Sequence, residues 1–399
     1  MTLPTVDSAR TLMLEAATPL PVKRVPLRQA AGRWLAEPVL AGRDQPPFDA
    51  SAMDGWAVRS ADVAPGARLR IVGESAAGHA PRCVIGPGQA ARIFTGAALP
   101  PGADRVVIQE EAESDGEFVV LSSVIRDGTC VRPRGGDFRR GEVLLAAGVR
   151  LDRWRLALAA STGTRDVVCG GRPRVAILAT GDELVEPGQP VAPHQIYDSC
   201  TPALAAFVAS QGGAPEPLPI ARDDQDAIAA LVSSAAFDVL VTVGGASVGD
   251  HDRVKPALRG LGAVLSVEGV AVRPGKPVWF ARLADGRLVL GLPGNPASAL
   301  VCAELFLGPL LRALQHGEAG PDMVTARLAD PLPVNGPRDH YMRARLRIAD
   351  DGVLWATPFP NQDSSLVGVM AAADALIRRP PLAPAAPVGA PVQVLRPAP

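Results

Sequence analysis

Residues 239–261, VLVTVGGASVGDHDRVKPALRGL, run from an apolar strand through a Gly-rich loop into a helix. The same order of strand, polar loop and helix recurs from Arg174 to about Leu314. Such alternation predicts a parallel sheet that is covered by helices on both faces. The predicted strands are 175–180, 218–221, 239–243, a part of 272–283, and 288–292. The predicted helices are 198–213, 223–236, 252–261 and 297–314.

The segments outside this region follow other patterns. A helical spacing of apolar residues covers 5–17, and a second short helix is predicted near Leu27 to Leu35. Short β-rich runs separated by Gly, Pro and Asp turns then predict a small all-β module. An irregular loop leads to a helix at 152–160 that Asp152 caps, where we expect the chain to return to the element in which it began. Near the end, YMRARLRI (341–348) alternates with period two and predicts a small β-barrel or sandwich.

The predicted fold class is therefore multidomain, α/β plus β. It combines a three-layer α/β domain with a mostly parallel sheet, a small all-β module, a helical linker domain built from two segments, and a C-terminal β-barrel-like domain. The predicted boundaries are 1–44 with 132–172 for the linker domain, 45–131 for the β module, 173–318 for the α/β domain, and 319–399 for the C-terminal domain.

Composition excludes several classes of function. The 399 residues carry 40 Lys and Arg against 41 Asp and Glu, so no overall field attracts nucleic acid or an anionic membrane. The N-terminus lacks the pattern of a signal peptide, and no run of about 18 uncharged apolar residues follows. Five widely spaced cysteines without a CxxC pair are typical of free buried thiols in a reducing compartment. We expect a soluble, cytoplasmic protein that binds neither nucleic acid nor membrane.

Four polar, Gly-rich loops follow predicted strands of the α/β domain. They are TGDEL (180–184), GGASVGDHD (244–252), RPGKP (273–277) and LPGNP (292–296). Ligands of such domains bind in the crevice at the carboxyl ends of the strands, so the four loops are expected to converge there. Any one loop alone is typical of a tight turn with solvated charges, but four together favour a binding site.

Each loop offers a different group to an anionic ligand. GGASVG presents successive backbone N–H groups and one hydroxyl, from Gly244, Gly245, Ser247 and Gly249. It is neither a Walker loop nor a dinucleotide-binding GxGxxG motif. Arg273 and Lys276 add two cations. Asn295 is expected to cap a helix that starts at Pro296 and directs its positive end to the crevice.

Carboxylates form the other half of the predicted site. Six of them lie on these loops, in the β module or in its return loop: Asp182, Glu183, Asp250, Asp252, Asp54 and Asp137. Because no His or Cys spacing accompanies them, they suit a hard cation such as Mg²⁺. Any single Asp is equally typical of a helix N-cap or a turn, and this holds especially for Asp223 and Asp224, where a helix begins. His79, His194, His251, His316 and His340 show no ligand spacing.

Together these motifs resemble the molybdopterin molybdenumtransferases, a family that includes the E domain of gephyrin. The resemblance is carried in order by SAMDGWAV (51–58), FTGA (94–97), TGDEL, QIYDSCTPAL (195–204), GGASVGDHD, RPGKP and GLPGNPASA (291–299). It implies an enzyme of molybdenum cofactor biosynthesis that inserts molybdate into adenylylated molybdopterin and releases AMP, assisted by a divalent cation. It also implies an elongated homodimer, with each site between the α/β domain of one subunit and the β module of the other.

The resemblance assigns roles to individual positions. The functional acids of the family match Asp54, Asp137, Glu183, Asp223 and Asp252, while Thr95 matches the threonine of FTGA, and Pro293 and Pro296 match the prolines of PGNP. Glu183, Asp54 and Asp252 would hold the cation. Residues 1–44 with 132–172 would form the dimerisation domain, and 173–318 would bind molybdopterin. Other proteins of molybdenum cofactor biosynthesis and recipient molybdoenzymes would be partners.

The chain departs from the family pattern at three positions. Gly269 stands where relatives often have Lys, Asp363 replaces a Gly of a QGS segment, and Asp374 replaces an Asn. The last two lie in the predicted C-terminal domain.

Two other functions remain open on the sequence. A scaffold protein could hold molybdopterin without turnover, although the retained Asp54, Glu183 and Asp252 argue against it. A nucleotide or pyrophosphate hydrolase of related α/β fold, such as the competence-damage type, would lack the SAMDG module.

Overall fold

The apolar runs after Arg174 form a six-stranded sheet. In this computed structural model, which describes residues 3–245, 253–320 and 323–397, the strand order is Ala214–Pro217, Arg174–Ala179, Val239–Val243, Leu288–Leu292, Trp279–Arg282, Val264–Glu268. The first four strands are parallel and the last two join antiparallel. The turn between Arg282 and Leu288 is too short for a parallel crossover, which explains the antiparallel edge. The predicted mostly parallel sheet is confirmed.

Helices cover both faces of this sheet, because successive residues of each buried strand point to opposite sides. Val175 and Ile177 pack in one core cluster with Leu204, whereas Ala176 and Leu178 pack in another with Ile228. The helices are Cys200–Ser210, Gln225–Ser234, Val254–Gly260, and Pro296–Cys302 continued by the π-helical Ala303–Leu307 and by Gly308–Leu314. The last run is long and apolar enough for a membrane span by composition, but 78% of its apolar window is buried inside the protein.

The strand predicted at 218–221 is wrong by four residues. The edge strand is Ala214–Pro217, paired with Arg174–Ala179. The strand itself contains Pro215 and Pro217, whose missing N–H groups face away from the neighbouring strand, and beyond it only Leu218 and Ala221 still donate to that strand.

The two segments of the predicted linker domain meet through paired strands. Lys23–Pro26 pairs with Asp166–Cys169, and Val39–Leu40 with Val143–Leu145. The helix Arg153–Ser161 is capped by Asp152, as predicted. The first helix, Val6–Glu15, packs into the core of the α/β domain rather than with these strands.

The second helix predicted near Leu27 to Leu35 is wrong. Only one 3-10 turn forms, Leu27–Gln29. Gly32 follows with φ +73, and Trp34 and Leu35 make β-bridges to Arg150 and Cys169, so tertiary pairing overrides the helical pattern.

The β module and the C-terminal region are both sheets. The β module is six-stranded, with the order Arg105–Ile108, Gly55–Val58, Gln89–Ile93, Arg68–Ser75, Phe118–Leu121, Ala112–Ser114. Two further strands beside it, Ala50–Ser51 and Val131–Arg132, pair with each other. The C-terminal strands close into a five-stranded barrel in the order Asp339–Ile348, Leu354–Pro358, Met323–Leu328, Pro391–Leu395, Ala375–Arg379. A short helix, Val367–Ala371, precedes the Ala375–Arg379 strand.

A short strand of the α/β domain joins the barrel. Val272–Arg273 runs parallel to the start of Asp339–Ile348, with Arg273 opposite His340. This pairing places the RPGKP loop of the α/β domain against the barrel. The four-part fold class is confirmed, while the domain boundaries given above stay predictions.

Candidate active site

A crevice of about 1050 Å³ lies between the carboxyl ends of the α/β strands and the C-terminal barrel. Residues of the TGDEL, RPGKP and PGNP loops line it, together with Gly244 and Gly245 at the start of the fourth predicted loop. A segment at 195–200 adds Ile196, Tyr197 and Asp198. The described parts of the four loops thus converge on one crevice, as the sequence predicted. RPGKP reaches it for another reason: it precedes Trp279–Arg282, which starts at this edge because it is antiparallel, and does not follow a strand of this sheet.

The Gly-rich loop begins in close contact with the first strand of the sheet. Gly244 has φ +97, and a Cβ at this position would lie 2.5 Å from the carbonyl oxygen of Thr180. Glycine is therefore required for the backbone to approach this closely. Thr180 is among the residues that line the crevice, but its hydroxyl oxygen is buried and has no hydrogen-bond partner among the described residues. The predicted residues Ser247 and Gly249 lie outside the described residues, as do Asp250, His251 and Asp252.

The RPGKP loop places two exposed cations at the crevice. Arg273 and Lys276 both line it. Between them Gly275, with φ +114, packs against the side chain of Cys302 in the long buried helix, whose Sγ donates to the Gly275 carbonyl at 3.8 Å. The loop is thereby fixed to the core while its charges face the crevice.

Gly275→Ala is expected to lower the free energy of unfolding by about 2–4 kcal/mol, because the new Cβ would be in a left-handed conformation and would collide with Cys302. Urea unfolding measures the loss. Gly128→Ala is the matched control, since Gly128 has φ +97 and open space around it. An equal loss in both variants would show that the collision with Cys302 contributes nothing.

The PGNP loop contacts the barrel directly. Pro293, Asn295 and Pro296 line the crevice, and a helix begins at Pro296 as predicted. Asn295 occupies the N-cap position as predicted, but its side chain makes no cap hydrogen bond, and its Nδ2 donates to Ser364 Oγ at 2.8 Å. The Ala297 N–H donates to the Ser364 carbonyl at 3.1 Å. The barrel therefore accepts a hydrogen bond from one of the N–H groups at the start of this helix, which were expected to face a ligand.

Two of the predicted acids line the crevice. Glu183 is exposed on the TGDEL loop, and Asp223 precedes the helix Gln225–Ser234. The N-cap of that helix is Asp224, whose Oδ1 accepts from the Ala227 N–H at 2.8 Å. The alternative interpretation, that these acids only cap a helix, is therefore confirmed for Asp224, whereas Asp223 is not the N-cap residue.

The predicted residues of the β module form a separate group. Asp54 Oδ1 accepts hydrogen bonds from the backbone N–H and the hydroxyl of Thr95, both at 2.7 Å. These two bonds lower the pKa of Asp54, and the Arg92 charge adds to the effect, so the carboxylate is ionised at neutral pH. Asp137 is exposed in the return loop, where its N–H donates to the Gln45 carbonyl. Within the described part of one chain, none of the three lines the crevice.

The barrel side of the crevice was largely missed by the sequence interpretation. Arg338 and the segment 362–365 line it, whereas Asp374 does not and instead accepts the Leu346 N–H at 2.9 Å. Arg338 could have been noticed in the sequence, because it comes just before the strand that alternates with period two. The Gly269 departure has a local explanation: its φ of +130 disfavours a Lys there.

The cysteines are free, as predicted, but only three are buried: Cys169, Cys200 and Cys302. Cys83 and Cys130 are partly exposed. Burial, with a smaller contribution from the Asp198 charge, raises the pKa of the crevice-lining Cys200 to about 11, so this thiol is not a nucleophile at neutral pH.

The donor chemistry of the crevice fits a hard divalent cation. In the described ranges, no three His, Cys, Asp or Glu side chains form a ready-made metal site. Mg²⁺ does not require one, because it keeps several waters and takes one or two carboxylates together with ligand phosphates. Glu183 and Asp223 supply oxygen donors of this kind at the crevice.

Comparison with known proteins identifies the family. Three family models match in order: "MoeA N-terminal region (domain I and II)" at residues 4–163, "Probable molybdopterin binding domain" at 176–313, and "MoeA C-terminal region (domain IV)" at 325–396. A molybdopterin molybdenumtransferase of Bacillus subtilis is 34% identical over 397 residues, which cover 92% of each chain. The chain belongs to the molybdopterin molybdenumtransferase family.

Other members of the family agree with this assignment. A molybdopterin molybdenumtransferase of Nostoc sp. is 40% identical over 82% of this chain and 77% of its own. The crystal structure of a molybdopterin biosynthesis MoeA protein from Pyrococcus horikosii matches with a TM-score of 0.80 and 32% identity over 99% of both chains. Membership in the molybdopterin molybdenumtransferase family makes the chain an enzyme of molybdenum cofactor biosynthesis and confirms the resemblance seen in the sequence.

Proposed function

We propose that the chain inserts molybdate into adenylylated molybdopterin in this crevice and releases AMP, with the help of a divalent cation, Mg²⁺ being the simplest choice. The observation that carries the proposal is the convergence of strand-end loops from the α/β domain with the barrel around one polar crevice. Both substrates are anions, and the crevice offers the cationic side chains of Arg273, Lys276 and Arg338.

The reaction mainly requires the protein to position the two substrates and to compensate their negative charge. Arg273 and Lys276 attract the adenylate phosphates, and the backbone at Gly244 and Gly245 orients them. Glu183 and Asp223 would hold the cation against the phosphate. A bound divalent cation supplies charge neutralisation for the leaving AMP.

The proposed active protein is a cytoplasmic homodimer. Asp54, Thr95 and Asp137 do not line the crevice within the described part of one chain, which supports their reaching the crevice of a second copy. The bond from Thr95 keeps the Asp54 carboxylate ionised and oriented for that role. Other proteins of molybdenum cofactor biosynthesis and recipient molybdoenzymes would supply and accept the cofactor.

The test is incubation of the purified chain with adenylylated molybdopterin, molybdate and Mg²⁺. AMP release that depends on molybdate and stops with EDTA supports the proposal. AMP release at the same rate without molybdate would indicate a hydrolase instead. Binding without any release would indicate a scaffold.

Lys276→Ala is expected to weaken binding of the adenylylated pterin by about 1–3 kcal/mol, because a charge-assisted contact to phosphate is lost. Calorimetry measures the change. Lys23→Ala, at an exposed position on the linker strand Lys23–Pro26, is the control for loss of one positive charge. Unchanged affinity of Lys276→Ala would remove this lysine from the site.

A further inference from the structure

One arginine next to the crevice has a buried guanidinium for which the described residues provide no hydrogen-bond partner. Arg343 lies in the barrel strand Asp339–Ile348 and is 0% exposed. Its Nε, Nη1 and Nη2 atoms have no hydrogen-bond partner among the described residues. A buried guanidinium without a paired group is costly, so its charge must be offset by the surroundings or by a ligand.

Arg343 is attached to a segment that lines the crevice. Its backbone N–H donates to Gln362 Oε1 at 2.9 Å, and Gln362 Nε2 donates to the Arg343 carbonyl at 3.0 Å. The next residue, Asp363, lines the crevice. Burial lowers the pKa of Arg343, the negative charge of Asp363 opposes this shift, and Arg273 adds to it. Arg343 therefore lies near the charges of both Asp363 and Arg273.

The barrel side of the crevice, called the barrel wall below, is strongly positive. His340 is buried opposite Arg273 in the strand pairing. Burial first, and then the charges of Arg273, Arg343, Arg338 and Arg379, lower the pKa of His340 to about 4. The imidazole is consequently neutral near pH 7 and adds no further cation.

Asp363 brings a negative charge to the otherwise positive barrel wall. Among the described crevice residues that the barrel contributes, it alone carries a carboxylate. Its Oδ1 accepts from the backbone N–H and the hydroxyl of Ser365, at 2.8 and 2.7 Å. These bonds lower the pKa of Asp363 and hold the side chain in place although it is exposed.

We infer that Asp363 lowers the affinity of the crevice for oxyanions: its carboxylate lies on the same side of the crevice as Arg338 and the buried Arg343, opposes their positive charge and that of Arg273, and so weakens oxyanion binding there. Only the choice of molybdate as the natural oxyanion rests on the proposed function.

The test removes the charge and keeps the shape. Asp363→Asn retains an oxygen that can accept from Ser365, and calorimetry with molybdate and with sulfate is expected to show about 3- to 10-fold tighter binding of both, more so at low salt. Asp363→Glu keeps the charge and is expected to bind as the natural chain does. Asp374→Asn is the matched control, because it removes a barrel carboxylate that does not line the crevice.

Unchanged, weaker or undetectable oxyanion binding by a folded Asp363→Asn chain would overturn the inference. The same gain in affinity in Asp374→Asn would also overturn it, because the effect would then be one of net charge. Failure of the proposed function is seen separately, as absence of molybdate-dependent AMP release by the natural chain, since calorimetry of the two anions requires no turnover.

Discussion

Glu183→Gln is expected to fold and to bind adenylylated pterin as the natural chain does, yet to lose most of its molybdate-dependent AMP release. The substitution keeps the size and hydrogen bonding of a side chain that lines the crevice and removes only its charge. Loss of an electrostatic group that acts in the chemical step typically lowers the rate by about 100- to 1,000-fold. The readout is single-turnover AMP release, with binding measured separately by calorimetry.

Glu186→Gln is the matched control, because Glu186 is an exposed acid near Glu183 that does not line the crevice. If charge is the cause, extra Mg²⁺ restores part of the rate in Glu183→Gln. Full turnover of this variant at ordinary Mg²⁺ would show that Glu183 is only a loop residue.

Mixing two inactive chains is expected to restore activity. If each site takes Glu183 from one subunit and Asp54 from the other, a hybrid of Asp54→Ala with Glu183→Ala has one doubly altered site and one intact site. Random exchange makes about half of the dimers hybrid, so about a quarter of the natural activity should return. The measurement is AMP release before and after mixing, with light scattering to establish that the chains are dimers.

No recovery after proven exchange would place both side chains in the same subunit's site. A single-chain mass at micromolar concentration would contradict the shared site itself. Each variant mixed with itself is the control for refolding during the exchange.

The sequence predicted the α/β domain well because its strands are buried on both faces. Continuous apolar runs such as VLVTV (239–243) and LVLGL (288–292) have few other stable arrangements, and the structure places both in the sheet centre. The polar loops after them had to meet at one edge, because parallel strands share their carboxyl ends. At the sheet edge the same approach misplaced a strand, because the paired residues Ala214–Pro217 include two prolines and form no continuous apolar run.

What the sequence could not give was contact between distant segments. The barrel wall of the crevice depends on the pairing of Arg273 with His340 and on the bond from Asn295 to Ser364, which join residues about 70 positions apart. Hydrophobic periodicity contains no information about such pairings. For the same reason the bond from the Asn295 side chain to the barrel was not predicted, and Arg338 and Arg343 were not recognised at the barrel side of the crevice.

The central claim, insertion of molybdate with release of AMP, is tested most directly in one single-turnover experiment. The purified natural chain is mixed with adenylylated molybdopterin, molybdate and Mg²⁺, and mass spectrometry follows the pterin while AMP is quantified. We predict one AMP released for each pterin that gains molybdenum, and neither product when molybdate is omitted. AMP released without molybdenum gain in the pterin would contradict the account.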